Sequence, residues 1–504
     1  MRGQAPERVR WGMWKRFLLG GALVVLLTAT ATATAVLLEV NNVVRAIDIG
    51  GKAIAAPVTA AAPGAPQTLL VIGSDRRFRD RRDLHNARSD TIILVRLNAQ
   101  AGATTIMSIP RDLKTHIRRP DGRVQTDKIN AAYSVGGPSL TASTVMRLLS
   151  TPGRPFRINH VVNVNFGGFR AAVDALGCVY ADIDRRYFND NNPPVDSSQD
   201  YATINIKPGY QRLCGSDALD YVRFRHLDTD IVRAARQQDF LRQAKQQFGT
   251  SRLFASRARL AGIFGRYTQT DTEFHSERGL LKLLDLAAFL GPKPIQEVHF
   301  PAIIPNDPND PYVRTTRSGL ERAVRQFMGA QASAGPRGPV RRAPRLPRRR
   351  SKVRPSSIPG LIEAAGLGRQ QVANLGAAGL PVYFPRLLLS TASYVSPSSG
   401  APRAYRIRDL RGHVYPAYRM VLDSGRGLGN FLGVQGTTWL TPPILRHPSE
   451  IRVVGGRSLQ LFFDGSRLRL VAWRTTRAVY WISNTLQENV GNAQMLGMAA
   501  SLAR

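Results

Sequence analysis

The sequence predicts an α/β protein: an α/β sandwich with a mostly buried sheet over residues 67–328, then a smaller β-rich α+β domain over 360–504, preceded by one transmembrane helix. Three observations lead there. Strand-like and helix-like runs alternate between Thr68 and Met328, a β-meander pattern occupies the last sixty residues or so, and an uncharged apolar stretch stands near the N-terminus.

That apolar stretch, Phe17 to Leu38, has about 22 residues, enough to cross a bilayer as a helix. Arg8, Arg10, Lys15 and Arg16 precede it and Glu39 is the next charge, an asymmetry that keeps residues 1–16 in the cytoplasm and exports the rest. The small-residue Ala-Thr repeat would also suit a cleaved signal peptide, but the span is long for one, which favours an uncleaved anchor. Residues 39–66 are a linker, rich in Ala, Pro and Gly from Ala55 to Pro66.

Within 67–328, Thr68 to Ile72 is a first strand ending in the polar turn Gly73-Ser74-Asp75-Arg76-Arg77. Two β-branched runs, Thr91–Val95 and Thr104–Ile109, form a strand pair, with Arg88 and Asp90 before it and Arg111 and Asp112 after it. Those tips can form a cationic, carboxylate-bearing site at one edge of the sheet, or two surface ion pairs. Pro138 opens a helix to about Leu149. His160–Asn165 reads as a strand, Phe166–Leu176 as a short helix, and Gly177–Ile183 as another strand. Asp217 is a candidate cap for a helix over Ala218–Val222. A further helix begins near Asp230 and continues to about Phe264. On it, Arg233, Arg236 and Gln237 share a face by their spacing. With Arg223 and Arg225 nearby, that face suits bidentate capture of phosphate oxygens, although Arg-rich helices are more often solvated faces. Helices are predicted at Glu277–Leu290 and Thr316–Met328, and Phe300-Pro301 closes a last short strand.

Residues 329–359 form a basic linker with nine Lys and Arg residues, many prolines and no acid. Outside the cell it suits contact with anionic wall polymer or lipid head groups, or serves as a solvated spacer. In the C-terminal domain, Ser449–Val453, Ser458–Phe463, Leu468–Trp473 and Ala478–Ser483 make a meander closed by a helix from about Asn492 to Leu502. Trp439, Trp473 and Trp481 are expected in its core. The chain has two cysteines, Cys178 and Cys214, both at element edges; in an exported chain they are expected to pair as a disulfide.

The formal charge of +35 points to an anionic partner. An exported chain without helix-turn-helix or zinc-finger spacing argues against nucleic acid. Gly-x-Ser-x-Gly, His-Glu-x-x-His and P-loop motifs are absent, which removes the common hydrolase sites they mark.

Five blocks in order resemble the LytR-CpsA-Psr family: Gly73-Ser74-Asp75 with Arg77; Arg88-Ser89-Asp90-Thr91; Ser108-Ile109-Pro110-Arg111-Asp112; Lys128-Ile129-Asn130-Ala131-Ala132-Tyr133 with Gly136-Gly137; and Tyr221-Val222-Arg223-Phe224-Arg225-His226 with Asp230, Arg233 and Arg236-Gln237-Gln238. The resemblance implies a three-layer α/β/α catalytic domain. It also implies a membrane-anchored, extracytoplasmic phosphotransferase that moves a polyprenyl-pyrophosphate-linked glycopolymer (teichoic acid, capsule or arabinogalactan) onto peptidoglycan, using Mg²⁺ or Mn²⁺. By motif, Asp75 and Asp90 would be metal carboxylates, or one of them the general base. Arg88 and Arg111 join them as catalytic groups, and Arg77, Arg88, Arg111, Arg223, Arg225, Arg233, Arg236 and Gln237 would hold the pyrophosphate. Two departures stand out: Phe78–Ala87 is richer in arginine than expected, and the C-terminal domain resembles only loosely the small β-rich modules of such proteins. The competing readings are a non-catalytic wall-polymer anchor and a polyprenyl-pyrophosphate hydrolase. The sequence sets no oligomeric state.

Overall fold

The computed structural model describes residues 53–62, 64–74, 89–98, 100–190, 202–224, 228–248, 257–275, 295–305, 307, 310–329, 348–350, 357–427 and 429–504. The predicted anchor at 17–38, the helix at 277–290, and Asp75, Arg77, Arg88 and Arg225 lie outside them. Among the described residues no helix is long and apolar enough to cross a membrane.

The first half is built on a six-stranded mixed sheet. Its strands are β1 (Gln67–Ser74), β2 (Ser89–Asn98), β3 (Ala103–Ser108), β4 (His160–Asn165), β7 (Thr268–Thr270) and β8 (Ile295–Glu297), in the order β7-β4-β1-β2-β3-β8. Numbers 5 and 6 belong to a separate antiparallel pair, β5 (Val179–Ile183) and β6 (Gly209–Leu213). β1, β2 and β3 are an antiparallel meander, as their apolar runs and short connection require, while β4 lies parallel to β1. Leu70, Ile72, Leu94 and Met107 from these strands are buried with Tyr133, Val145, Val161 and Phe327 in one core. Helix α1 (Ala131–Leu149) and α6 (Arg317–Gly329) bring their apolar faces into that core, whereas α2 (Phe166–Ala175), α3 (Gly215–Arg223) and α4 (Asp230–Gln247) enclose a second core with β5 around Val179, Tyr187, Tyr221 and Phe240. A fifth helix in chain order, α5 (Arg257–Tyr267), packs on α2.

Several elements differ from the sequence expectation for visible reasons. α1 starts at Ala131 and is interrupted at Gly136 and Gly137, whose φ values of −147° and +62° are non-helical; Pro138 then opens its second half. α3 is capped by the Asp174 carboxylate, which accepts from Gly215 N at 2.7 Å, and Asp217 lies inside its first turn. α4 ends at Gln247, well before Phe264, and α5 is a separate helix. Short strands occupy Ile295–Glu297 and Ala302–Ile303, with Phe300 and Pro301 between them, and a further one, Arg314–Thr315, pairs with Ala302–Ile303. The Ala55–Pro66 stretch is not a free spacer: Ile54 is buried, Ser139 Oγ donates to Ala55 O at 2.6 Å, and Thr59 N donates to Ile158 O at 2.9 Å. Part of the basic linker also folds, because Arg348–Arg350 adds a parallel edge strand beside Ile451–Val453, where backbone groups of an open edge accept a partner.

The C-terminal half is a nine-stranded sheet that extends the expected meander. Beyond helix α7 (Ala365–Leu375), its strands include β9 (Arg403–Arg408), β10 (Val414–Asp423), β11 (Phe431–Thr437), β12 (Glu450–Val454), β13 (Arg457–Asp464), β14 (Arg467–Arg474) and β15 (Val479–Ser483), closed by α8 (Asn492–Ala500). Trp439, Trp473 and Trp481 are all buried, as expected. This sheet docks on the first half. Tyr180 and Tyr210 of β5 and β6 share an apolar cluster with Trp439, Ile444, Leu470 and Trp481. The fully buried Arg419 donates to Asp182 at 2.8 Å, and Trp481 Nε1 donates to the same carboxylate at 3.3 Å.

Cys178 and Cys214 form the expected disulfide, closing a loop of sequence separation 36 between β5 and the start of α3. Replacing both by serine should therefore lower stability by about 3–4 kcal/mol, the entropy a loop of that length regains on unfolding, read from the denaturant midpoint under oxidising conditions.

Candidate functional site

The C-terminal ends of β1 and β4, which run in parallel, and the N-terminal end of β2 meet at one end of the sheet, the position where α/β proteins gather polar loops. β1 and β2 are out of simple register there: Gly73 faces Thr91, then a bulge pairs Ser74 with Ser89. A Cβ at Gly73 would lie 3.0 Å from Thr91 Cβ, so a side chain there would push against Thr91. β3 ends beside this point, and Ile109 N still donates to Ile92 O at 2.8 Å. The chain then delivers Arg111 to Asp90, where Arg111 Nη1 donates to Asp90 Oδ1 at 2.6 Å with both side chains largely buried. The predicted tips are thus joined across the strands through Asp90 and Arg111.

Asp112, the acid of the second tip pair, and Lys128, which the sequence reading carries only as a motif member, join them. Asp112 lies 3.6 Å from Arg111 Nε and 3.2 Å from Lys128 Nζ. The segment 111–113 is tied to 129–130 by Ile129 N to Leu113 O at 2.9 Å and Asn130 N to Arg111 O at 3.1 Å, which places Lys128 and the start of α1 at the same end. Acid beside Arg111 in the sequence is the signal that marks them. Burial works to raise the Asp112 carboxyl, but Arg111, Lys128 and Arg233 outweigh it and hold it below the ordinary carboxylate range.

α4 closes the site. Gln237 Nε2 donates to Thr91 Oγ1 at 3.0 Å and to Val222 O at 3.1 Å, fixing the helix against β2 and against α3. One turn earlier, Arg233 is buried close enough to Asp112 to act on its charge. Arg223, half-buried at the end of α3, bonds Asp220 at 3.0 Å and faces the Phe166 ring at 5.7 Å, beside the end of β4. Thr229 caps α4 by accepting from Val232 N at 3.3 Å.

Arg236 is placed differently from its predicted role as a pyrophosphate ligand. It is fully buried, pairs with Asp228, donates to Phe224 O at 2.5 Å, and lies 4.8 Å from the Tyr187 ring. Asp228 is shared with Arg185. The guanidinium is therefore an internal strut under the site. Its i+3 relation to Arg233 does not put both heads in the same place, because Arg233 acts on Asp112 whereas Arg236 pairs with Asp228 and the Phe224 carbonyl.

The described part of the predicted set thus brings Asp90, Arg111, Arg233 and Gln237 together, with Arg223 at the flank and Arg236 beneath. For a hard cation the described residues offer the Asp90 carboxylate, one oxygen of which already accepts from Arg111. They also offer the buried hydroxyls of Ser89, next to it in sequence, and of Ser74, paired with Ser89 across β1 and β2, which have no hydrogen-bond partner among the described residues. Elsewhere among the described residues, the three-ligand grouping of Asp174, Cys178 and Cys214 has its sulfurs committed to the disulfide. A cleft of about 460 Å³ lined by Leu149, Pro152, Phe156, Glu321 and Met328 is remote from this chemistry. It sits at the C-terminal end of α1, whose other end adjoins Arg111.

Comparisons with known proteins bear on this constellation. The model of the LytR_cpsA_psr family matches residues 29–316. The chain is 33% identical over 178 residues to the polyisoprenyl-teichoic acid–peptidoglycan teichoic acid transferase TagU of Bacillus cereus, covering 35% of this chain and 50% of that one. It is 30% identical over 211 residues to the protein of the same name from Halalkalibacterium halodurans, covering 41% and 62%. The chain spans about half the length of the curated relatives it matches. Among solved structures, protein gbs0355 of Streptococcus agalactiae aligns with a TM-score of 0.45 at 22% identity, covering 54% of this chain and 90% of that one. A LytR-Csp2A-Psr enzyme from Actinomyces oris aligns at 0.39 and 23%, covering 55% and 94%.

Two outcomes test the geometry. Arg236→Met should cost roughly 3 kcal/mol in thermal or denaturant unfolding, because it strips a partner from the buried Asp228. For Asp112, the lowered folded pKa means stability that is present above the unfolded value of about 3.9 and lost as pH falls through the folded one. Asp112→Asn should therefore lower stability at neutral pH and flatten its fall below about pH 4, measured by denaturant titration at stepped pH.

Proposed function

The chain belongs to the LytR-CpsA-Psr family, and on that premise we propose that it is a membrane-anchored transferase that moves an anionic glycopolymer from a polyprenyl pyrophosphate carrier onto peptidoglycan outside the cell. The observation that carries the reading is the Asp90–Arg111 pair, with Asp112, Arg233 and Gln237 beside it at one end of the sheet. A polymer-binding anchor needs the cations but not a carboxylate held at their centre. The names of the Bacillus and Halalkalibacterium relatives support polymer transfer to peptidoglycan. The apolar 17–38 stretch with its preceding basic residues supports the anchor and the extracytoplasmic location.

In the proposed reaction an acceptor hydroxyl oxygen bonds to the sugar-bearing phosphorus, the bridging P–O bond breaks, and polyprenyl phosphate leaves with the bonding electrons. Such transfers depend on positioning and on neutralising spread negative charge. Arg111 and Arg233 supply that charge from two sides, and Gln237 fixes the helix that carries Arg233. Asp90, oriented by Arg111, accepts the acceptor's proton or, together with Asp75, holds Mg²⁺. A bound Mg²⁺ would neutralise phosphate oxygens in that place.

The test is release of polyprenyl phosphate from a polyprenyl-pyrophosphate saccharide by the full chain in detergent, with and without Mg²⁺ and peptidoglycan. Asp90→Ala is expected to abolish turnover and Arg111→Ala to lower it about 10²–10³-fold, the scale of removing one charge-stabilising group from a transition state. Release without coupling to peptidoglycan would make the chain a pyrophosphate hydrolase. Tight binding with no turnover in any condition would make it a polymer anchor.

A further inference from the structure

Helix α4, which carries Arg233 and Gln237 into the anion site, is held along its length by the C-terminal domain. At its first turn, the Gly-rich connection between β10 and β11 comes so close that a Cβ at Gly429 would lie 2.7 Å from Val232, next to Arg233. At its second half, Gln243 Oε1 accepts from Asp182 N at 3.1 Å, and Gln247 both donates to Tyr180 O at 2.6 Å and accepts from Tyr180 N at 2.8 Å. That strand, β5, is in turn grasped by Arg419 and Trp481 of the C-terminal sheet through Asp182.

The third point is Arg242. Its guanidinium is buried among four carboxylates: Asp239 at 3.2 Å on the same helix, Glu297 at 2.5 Å on β8, and from the C-terminal domain Asp464 at 2.6 Å and Glu488 at 3.6 Å. Asp464 ends β13 and Glu488 precedes α8, so this one side chain joins the helix, the edge of the catalytic sheet and two elements of the distant domain. Burial pushes the Glu488 carboxyl up to about 8 and raises Glu297 as well, against the pull of Arg242. The four acids outnumber the two buried guanidiniums among them, Arg242 and Arg469, and Arg242 lies within ion-pair distance of all four, the shared counter-charge that lets them be buried.

We propose that the C-terminal domain is a positioning element of the anion site: it clamps α4 at Val232, at Gln243 and Gln247 through β5, and above all at Arg242, and thereby sets where Arg233 meets a phosphate. The part concerning phosphate rests on the proposed transferase reading, whereas the clamp itself does not. Arg242 is a positioning residue, since Arg233 lies two and a half turns away along the helix and Arg242 touches only protein groups. The domain is then a constituent of the site and not an appended wall-binding module.

The test uses the full chain in detergent, with Asp464→Asn and Arg242→Lys, and Arg452→Ala as a variant of a surface pair in the same domain. Hydrogen exchange is followed in peptides covering 230–240 and 67–74, alongside the Kd for geranylgeranyl pyrophosphate. Asp464→Asn should speed exchange over 230–240 at least 10-fold, leave 67–74 unchanged, and raise the Kd about 10-fold. Arg242→Lys should do the same to a smaller extent, about 3-fold, and decides the matter if Asp464→Asn does not fold. Arg452→Ala should match the wild type. Exchange that is unchanged over 230–240, that rises equally over 67–74, or that rises while the Kd stays at the wild-type value overturns the proposal. A wild type that does not bind the probe refutes the pyrophosphate reading of the site, and the local exchange result then decides the clamp by itself.

Discussion

A polar helix runs through the middle of this molecule, and most of its buried charged and amide groups are answered from outside the helix. On α4, Arg233, Arg236, Gln237, Gln238, Asp239, Arg242 and Gln243 are all buried. A guanidinium that loses water without gaining acceptors costs several kcal/mol, so each of the arginines must find oxygens to bond. The neighbours are consequently fixed: Thr91 on β2 for Gln237, Asp228 and the Phe224 carbonyl for Arg236, Glu297 on β8 with Asp464 and Glu488 for Arg242. Apolar packing builds the cores on either side, but satisfaction of this helix determines how the cores are arranged about each other.

The constraint separates arginines that one motif presents as equivalents. Arg233 and Arg236 are a single turn apart, yet one acts on Asp112 at the sheet end and the other is enclosed by Tyr187, Phe224 and Asp228. Both are buried, and placement makes the difference: Arg233 acts on Asp112 at the strand ends, whereas the Arg236 donors are taken up by Asp228 and the Phe224 carbonyl and hold the backbone there. The Asp90–Arg111 contact follows the same logic at the strand ends, where two short-range pairs written into the sequence become one cross-strand pair because β2 and β3 bring their tips together.

Much of the sheet and half of the site were legible in the residues. The β2–β3 pair announces itself through Thr91–Val95 and Thr104–Ile109, and antiparallel pairing then carries Asp90 to Arg111 without further information. The start of α4 at Asp230 and the strand at His160–Asn165 are equally plain from periodicity and flanking polar residues. The enclosure of Arg236 was not legible, because arginine is expected at a surface and nothing local distinguishes it from Arg233. Nor was the Arg242 network, whose partners Asp464 and Glu488 stand more than two hundred residues away in elements that look like ordinary turns. The strands at 403–437 escaped because β9 mixes arginines with apolar residues, Arg406 and Arg408 being exposed while Ile407 is buried. Pattern reading sees neighbours in sequence, and these groups are neighbours only after the two halves have docked.

The same distinction bears on the net charge of +35. Long-range attraction from so basic a chain draws in any polyanion and is screened over about 10 Å at ordinary ionic strength, so it selects an environment and not a reaction. Inside the protein the balance is local and often acidic: four carboxylates crowd Arg242, and Asp90 and Asp112 stand within the guanidinium cluster of the site. A surface made only to hold polyanions gains nothing from acids set among its cations, since each would repel the ligand. Carboxylates kept there, held in place by Arg111 and Lys128, are the mark of a site in which negative charge must be positioned as well as attracted, and that requirement belongs to transfer chemistry more than to adhesion.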